Sequence, residues 1–129
     1  MSTDTTASVS THILDTSIGR PAASVAVTLA ARGGDARWAA LGGSATDGDG
    51  RCKDLPALPE GTTHVRLVFD TETYFASTNQ AEAQQDAPRV RDSGAFFPEV
   101  TLTFAVTPGE HFHVPLLLNP FGYSVYRGS

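Results

Sequence analysis

Stretches of the chain place apolar residues at every second position. In 24–32 these are Val25, Val27 and Leu29; in 63–69, Val65, Leu67 and Phe69; in 96–106, Val100, Leu102 and Phe104. A period of two is the mark of a strand half buried in a sheet. A shorter strand is expected at 11–15, with His12 and Leu14 on one face and Ile13 and Asp15 on the other. Residues 36–45 read as a strand interrupted at Gly42–Gly43, where a bulge or a close backbone approach is expected. Residues 51–55 read as a short strand that Pro56, Pro59 and Gly61 prevent from continuing. The last stretch, 111–129, reads as two strands joined by a turn at Asn119–Gly122. Its alternation sends Phe112, Val114, Leu116 and Leu118 inward and His113, Pro115 and Leu117 outward. A single short helix is predicted, capped by Asp70 or Thr71 and running to about Asn79. Gly33-Gly34-Asp35, Asp47-Gly48-Asp49-Gly50 and Pro108-Gly109 supply the turns. About eight short strands with glycine and proline turns predict an all-β sandwich of antiparallel sheets. The cysteine–tryptophan–cysteine spacing of an immunoglobulin domain is absent.

Two segments fall outside this pattern. Residues 1–10 are small and polar and are expected to be a disordered tail, which leaves 11–129 as one domain. Residues 80–94 are polar with mixed charge and are expected to form a mobile loop. The length of 129 residues suits a single core, and 40% hydrophobic with 18% charged residues is ordinary for a globular protein. A net charge of −5, with Lys53 and the arginines scattered, argues against a nucleic-acid partner. No apolar run approaches a membrane span, so no membrane partner is expected. One cysteine, Cys52, excludes an internal disulfide framework. With no signal-like start, it points to the cytoplasm.

Leu116-Leu117-Leu118 is apolar on both faces of its strand, whereas one face of a sandwich sheet is normally wet. An outward Leu117 beside His113 implies a second surface over this sheet, since apolar burial is worth roughly 25 cal/mol per Å². An oligomer through this face is therefore expected.

The candidate chemistry is sparse. His111 and His113 share a strand face at a spacing that suits zinc, but no cysteine or carboxylate pattern completes a ligand set, and no metal is expected. Asp47-Gly48-Asp49-Gly50 lacks the spaced ligands of a calcium loop and reads as a turn. It leads into Arg51, whose guanidinium at a strand start could hold an oxyanion. His113, among outward apolar neighbours, is a candidate general base or acid. His64 reads as surface polarity and Cys52 as a small core residue. No nucleophile elbow surrounds Ser124 or Ser129. From the pattern alone, no reaction follows.

THILDTSIGRPA (11–22), TDGDGR (46–51), FFPEVTLTF (96–104) and HFHVPLLLNPFGYSVYRGS (111–129) resemble the transthyretin-like family. Within it, they are most similar to the 5-hydroxyisourate hydrolases of purine degradation. The terminal Tyr126-Arg127-Gly128-Ser129 is the specific mark, because the hormone-carrying transthyretins diverge there. The resemblance implies a prealbumin-like sandwich of two four-stranded antiparallel sheets with one short helix. It implies a homotetramer, a dimer of dimers, with sites between facing sheets. It assigns catalysis to His12, Arg51, His113 and Ser129 and substrate contact to His12, Arg51, Tyr126 and Ser129. No cofactor is implied, because 5-hydroxyisourate is an activated cyclic acyl compound. The alternative within the same family is a non-catalytic carrier of thyroid-hormone-like small molecules.

Overall fold

The computed structural model describes residues 6–83 and 95–128. The first strand, β1 (Ser8–Asp15), is followed by the two-residue β2 (Arg20–Pro21), then β3 (Ala26–Arg32), β4 (Ala39–Ala45) and another two-residue strand, β5 (Arg51–Cys52). After β6 (His64–Asp70) comes one helix, α1 (Thr71–Ala83), then β7 (Glu99–Ala105), β8 (His111–Asn119) and β9 (Gly122–Val125). Two sheets face each other. One has the order β2-β1-β8-β9, with β5 added on β1; the other has the order β4-β3-β6-β7.

The all-β sandwich with one helix is as expected, and three details differ. First, the sheet holding His12, His111 and His113 has five strands, because β2 and β5 both pair with β1. Second, β1 and β8 run parallel while every other pair is antiparallel. A parallel pair cannot be closed by a tight turn. Here the whole second sheet lies between the two strands in the chain. Third, the elements have different ends. β1 starts at Ser8, so 8–10 belong to the sheet; residues 1–5 of the expected tail lie outside the described residues. β5 stops at Cys52 rather than 55. Beyond it the Ser44 hydroxyl donates to Asp54 at 2.7 Å, and Pro56 packs beside Gly42, drawing the chain toward β4 of the other sheet. α1 runs on to Ala83, so 80–83 are helical; 84–94 lie outside the described residues.

The inward faces are those set by the alternation. Ile13, Val27, Leu67, Phe69, Val100 and Leu116 are all 0% exposed. Burying each such side chain is worth about 1.5–3 kcal/mol. β4 carries the expected bulge: Leu29 pairs with Gly42 but Ala30 with Ala40, leaving Leu41 as the extra residue. Gly42 takes φ 135°, which a residue with a side chain adopts only under strain.

The inward face of β1 also carries two polar residues, Thr11 and Asp15, and both find partners. The Thr11 hydroxyl donates to the Val114 carbonyl at 2.6 Å. Asp15 accepts from the Tyr74 hydroxyl at 2.7 Å and from the Ser17 backbone N–H at 3.0 Å. Tyr74 lies on the first turns of α1, which Asp70 caps by accepting from the Thr73 N–H at 3.1 Å. The helix is thus tied to the end of β1 through a buried carboxylate. Burial, reinforced by the hydrogen bond and charge of Asp15, pushes the Tyr74 hydroxyl well above the ordinary phenol range. No helix among the described residues is long and apolar enough to cross a membrane.

Tyr74→Phe keeps the ring and removes the donor, leaving one Asp15 oxygen buried without a partner. The expected cost is about 1–3 kcal/mol, read as a lower urea midpoint with an unchanged slope.

Candidate active site

The turn before β5 is built on Asp47. Its carboxylate accepts from the backbone N–H groups of Asp49 and Arg51, both at 2.9 Å. The Arg51 N–H holds the Asp47 carboxyl below its usual range, with the Asp49 N–H and the charges of Lys53 and Arg51 adding to this against some desolvation. Gly50 follows with φ 76°, and a Cβ there would run into the Ile13 carbonyl. The Ile13 N–H donates to the Gly50 carbonyl at 2.8 Å. This close seating lays β5 antiparallel against β1, with Arg51 opposite His12. His12 Nε2 lies 3.0 Å from the Asp49 carbonyl. A carbonyl can only accept, so Nε2 carries a proton and Nδ1 is the ring nitrogen that faces away from this contact.

The parallel pairing completes the cluster from the other side. It sets Ser10 beside His113, His12 beside Pro115 and Leu14 beside Leu117. The outer face of this sheet is therefore a band of Ser10, His12, His113 and Arg51, bordered by Leu14, Pro115 and Leu117. His12 and His113 are half-buried and Arg51 is exposed. His113 is held below the ordinary histidine value. Burial is the largest cause, followed by the positive charges of His12, Arg51 and His111. These causes favour its neutral form, which is the form able to accept a proton.

The chain end folds back onto the same face. The Gly128 N–H donates to the His113 carbonyl at 2.7 Å. A Cβ on Gly128 would stand 3.0 Å from His113 Cδ2 and 3.2 Å from Pro115 Cγ, so the backbone rests on both rings. Arg127 is held away from the cluster, donating to Glu110 at 3.2 Å and lying over the Phe112 ring.

Of the expected site residues, three come together on one face: His12, Arg51 and His113. Ser129 lies outside the described residues, although its neighbour Gly128 touches the His113 ring. Tyr126 does not join them. β9 ends at Val125, so the regular alternation that would have aligned Tyr126 with Ser124 stops short of it. Tyr126 instead lines a groove of about 470 Å³ at the open edge of the sandwich, with Phe104, Phe112, Val114 and Val125.

Sequence reasoning missed two features. Asp47 organises the Arg51 turn, and an Asp-Gly-Asp-Gly run could have signalled it. Ser8 and Ser10 hydrogen-bond His111 and His113, and only the β1–β8 register reveals this. His111 is thus engaged by serines. Among the described residues no three histidine, cysteine or carboxylate side chains gather as a cation would need.

The chain is thus a transthyretin-like sandwich that carries two histidines and an arginine together on the outer face of one sheet. The sequence profile of the HIUase/Transthyretin family matches residues 9–128, and the chain belongs to that family. The uric acid degradation bifunctional protein TTL of Arabidopsis thaliana is 41% identical over 94% of this chain, which spans 37% of that protein's length. The 5-hydroxyisourate hydrolase of Salmonella typhimurium is 39% identical over 94% of this chain and 80% of its own. Among solved structures, Klebsiella pneumoniae 5-hydroxyisourate hydrolase superposes with a TM-score of 0.70 at 32% identity, covering 95% of this chain and 99% of that one. Sea bream transthyretin in complex with thyroxine gives 0.72 at 28% identity, covering 93% of each.

Gly50→Ala tests the seating of Arg51. Positive φ and the Ile13 carbonyl together should cost about 2 kcal/mol or more and lower the melting temperature. The Arg51–His12 pairing should loosen with it, read as weakened amide exchange protection at Ile13.

Proposed function

We infer that this protein hydrolyses 5-hydroxyisourate to 2-oxo-4-hydroxy-4-carboxy-5-ureidoimidazoline, a step of urate degradation. The observation that carries this reading is the convergence of His12, Arg51 and His113 on one face, in a chain of this family. A carrier has no use for a base and a fixed cation aimed at one spot.

The chemistry needs an oriented water, a base and a stabiliser for the oxygen that becomes anionic. His113, kept neutral by its surroundings, takes the water proton. The attacked ring carbonyl becomes tetrahedral, and the Arg51 guanidinium faces its oxygen. On collapse the ring C–N bond breaks, the second water proton passes from the new hydroxyl to the departing nitrogen, and a carboxylate is freed. His12, whose Nε2 proton is committed to Asp49, offers Nδ1 to orient substrate or water. Ser129, one residue beyond Gly128, positions substrate or water with its hydroxyl.

A homotetramer, a dimer of dimers, completes the pocket. Leu14, Pro115 and Leu117 border the polar band and favour a covering surface. Near the β9 edge, Phe121 and Tyr126 are 78% and 58% exposed, which supports a second contact there. Tyr126 can reach the pocket only across such an interface. The compartment proposed is the cytoplasm, where Cys52 stays reduced.

The test is the ultraviolet decay of freshly generated 5-hydroxyisourate. The protein should accelerate it strongly; a rate equal to the spontaneous one would sink the enzyme reading. His113→Asn should lose about 10²–10⁴-fold in kcat. Arg51→Ala should lose about 10²–10³-fold.

The pH dependence follows from the lowered value of His113. As the base is the neutral form, the midpoint of the acid-side fall in kcat/KM should lie below the ordinary histidine value of 6.5. The same group affects stability. Just below pH 6.5 the unfolded chain binds more protons than the folded one, so stability should decrease as pH drops through that window and be full above it. Denaturant melts at several pH values, with His113→Asn removing the slope, check this.

A further inference from the structure

Ser8, Ser10 and His111 have no part in the chemistry above, yet they are bonded to it in series. Ser10 Oγ lies 2.9 Å from His113 Nδ1 and 2.8 Å from His111 Nε2. Ser8 Oγ lies 2.6 Å from His111 Nδ1. The parallel register produces this, setting Ser8 beside His111 and Ser10 beside His113. His113 and Ser10 are half-buried, whereas His111 and Ser8 are exposed. The series therefore runs from the candidate base toward solvent.

We propose that Ser10, His111 and Ser8 form a proton exit from His113, with Ser10 as the positioning residue that sets the His113 tautomer. The inference rests on the hydrolase reading, because it gives the series a proton to move. Opening a cyclic amide with water yields a carboxylic acid that ionises at neutral pH, so each turnover leaves one proton to discard.

A hydroxyl has one proton to donate and lone pairs to accept with. One polarity satisfies all three contacts and leaves His113 Nε2 bare: His113 Nδ1–H donates to Ser10 Oγ, Ser10 O–H to His111 Nε2, and His111 Nδ1–H to Ser8 Oγ. When His113 Nε2 takes a proton from water, its Nδ1 proton passes to Ser10 Oγ. The Ser10 hydroxyl proton passes in turn to His111 Nε2. Water, Nδ1 of His113 and Oγ of Ser10 each lose one bond to hydrogen. Nε2 of His113, Oγ of Ser10 and Nε2 of His111 each gain one. The surplus proton ends on an exposed imidazole, which releases it to solvent. Once product leaves, His113 Nε2 gives its proton to solvent water and Nδ1 regains one back along the series from His111, which solvent reprotonates, and this restores the starting polarity. The direction is favourable. His113 is half-buried and faced by His12 from β1 and Arg51 from β5, so positive charge is disfavoured there, whereas an exposed imidazolium is hydrated.

The full-length protein, assayed with freshly generated 5-hydroxyisourate, tests this. Ser10→Ala should lower kcat about tenfold or more, part of a general base's contribution, with KM changed less than about twofold. Ser10→Thr, which keeps the hydroxyl, should restore kcat. His111→Gln should slow turnover, and added imidazole should recover it in that variant but not in the wild type. An unchanged kcat in Ser10→Ala overturns the proposal. A His111→Gln enzyme that is as fast as wild type, or slow without imidazole recovery, overturns His111 as the exit. Nitrogen-15 resonances of the histidine rings judge the geometry without turnover. Wild type should hold His113 as the Nδ1–H tautomer and Ser10→Ala should lose that preference; an Nε2–H tautomer in wild type overturns the polarity. If wild type fails to accelerate the decay at all, the hydrolase reading fails, while the ring resonances still report on the series.

Discussion

The parallel pairing of β1 with β8 is the constraint on which the rest depends. It aligns eight residue pairs, from Ser8 with His111 to Asp15 with Leu118. The inward halves of those strands, including Ile13 and Leu116, are sealed in the core. A slip of one residue would turn one strand's apolar set out to water, so the core pins the register. The same register fixes the outer face. The hydrophobic effect, acting on residues that take no part in chemistry, thus decides that Ser10 lies against His113 and that His12 lies in the next row.

The second strand added to β1, the two-residue β5, works by a different kind of force. It buries only Cys52 and is otherwise held by backbone hydrogen bonds and the Asp47 turn. A short, hydrogen-bonded clip suits a residue that must stay in place while its side chain remains free. Arg51 is presented with an exposed guanidinium while its backbone is fixed on both sides. The opposite arrangement holds at Asp15, where a carboxylate is buried and all its visible partners are inside the protein. β1 therefore carries a structural acid, Asp15, on one face and the candidate site residue His12 on the other, and alternation alone keeps them apart.

The outer face mixes leucine and proline with histidine and arginine. In a single chain this is costly, because water must hydrate a half-apolar surface. Covered by a second copy, the same mixture becomes a pocket in which apolar borders strengthen the electrostatics of the polar band. In the proposed assembly, association and chemistry would draw on one surface, and both would depend on the sandwich that aligns it.

Much of this was legible in the chain. The inward positions of β3, β6, β7 and β8 follow from a period of two, because each strand repeats its own alternation locally. The outward placement of His12 and His113 follows in the same way, and the bulge at Gly42 announced itself through its glycines. What the sequence could not determine was which strands are neighbours. The parallel β1–β8 pair joins residues about a hundred positions apart, and no local pattern encodes a partner at that distance. The serine–histidine series, the seating of Arg51 opposite His12 and the displacement of Tyr126 to the sandwich edge are consequences of that pairing, of the β1–β5 pairing and of where a strand stops, respectively. Local periodicity determined which way each side chain points, since the backbone pleat imposes it. Only the tertiary structure decided what each side chain meets, since that depends on contacts closed across the whole chain.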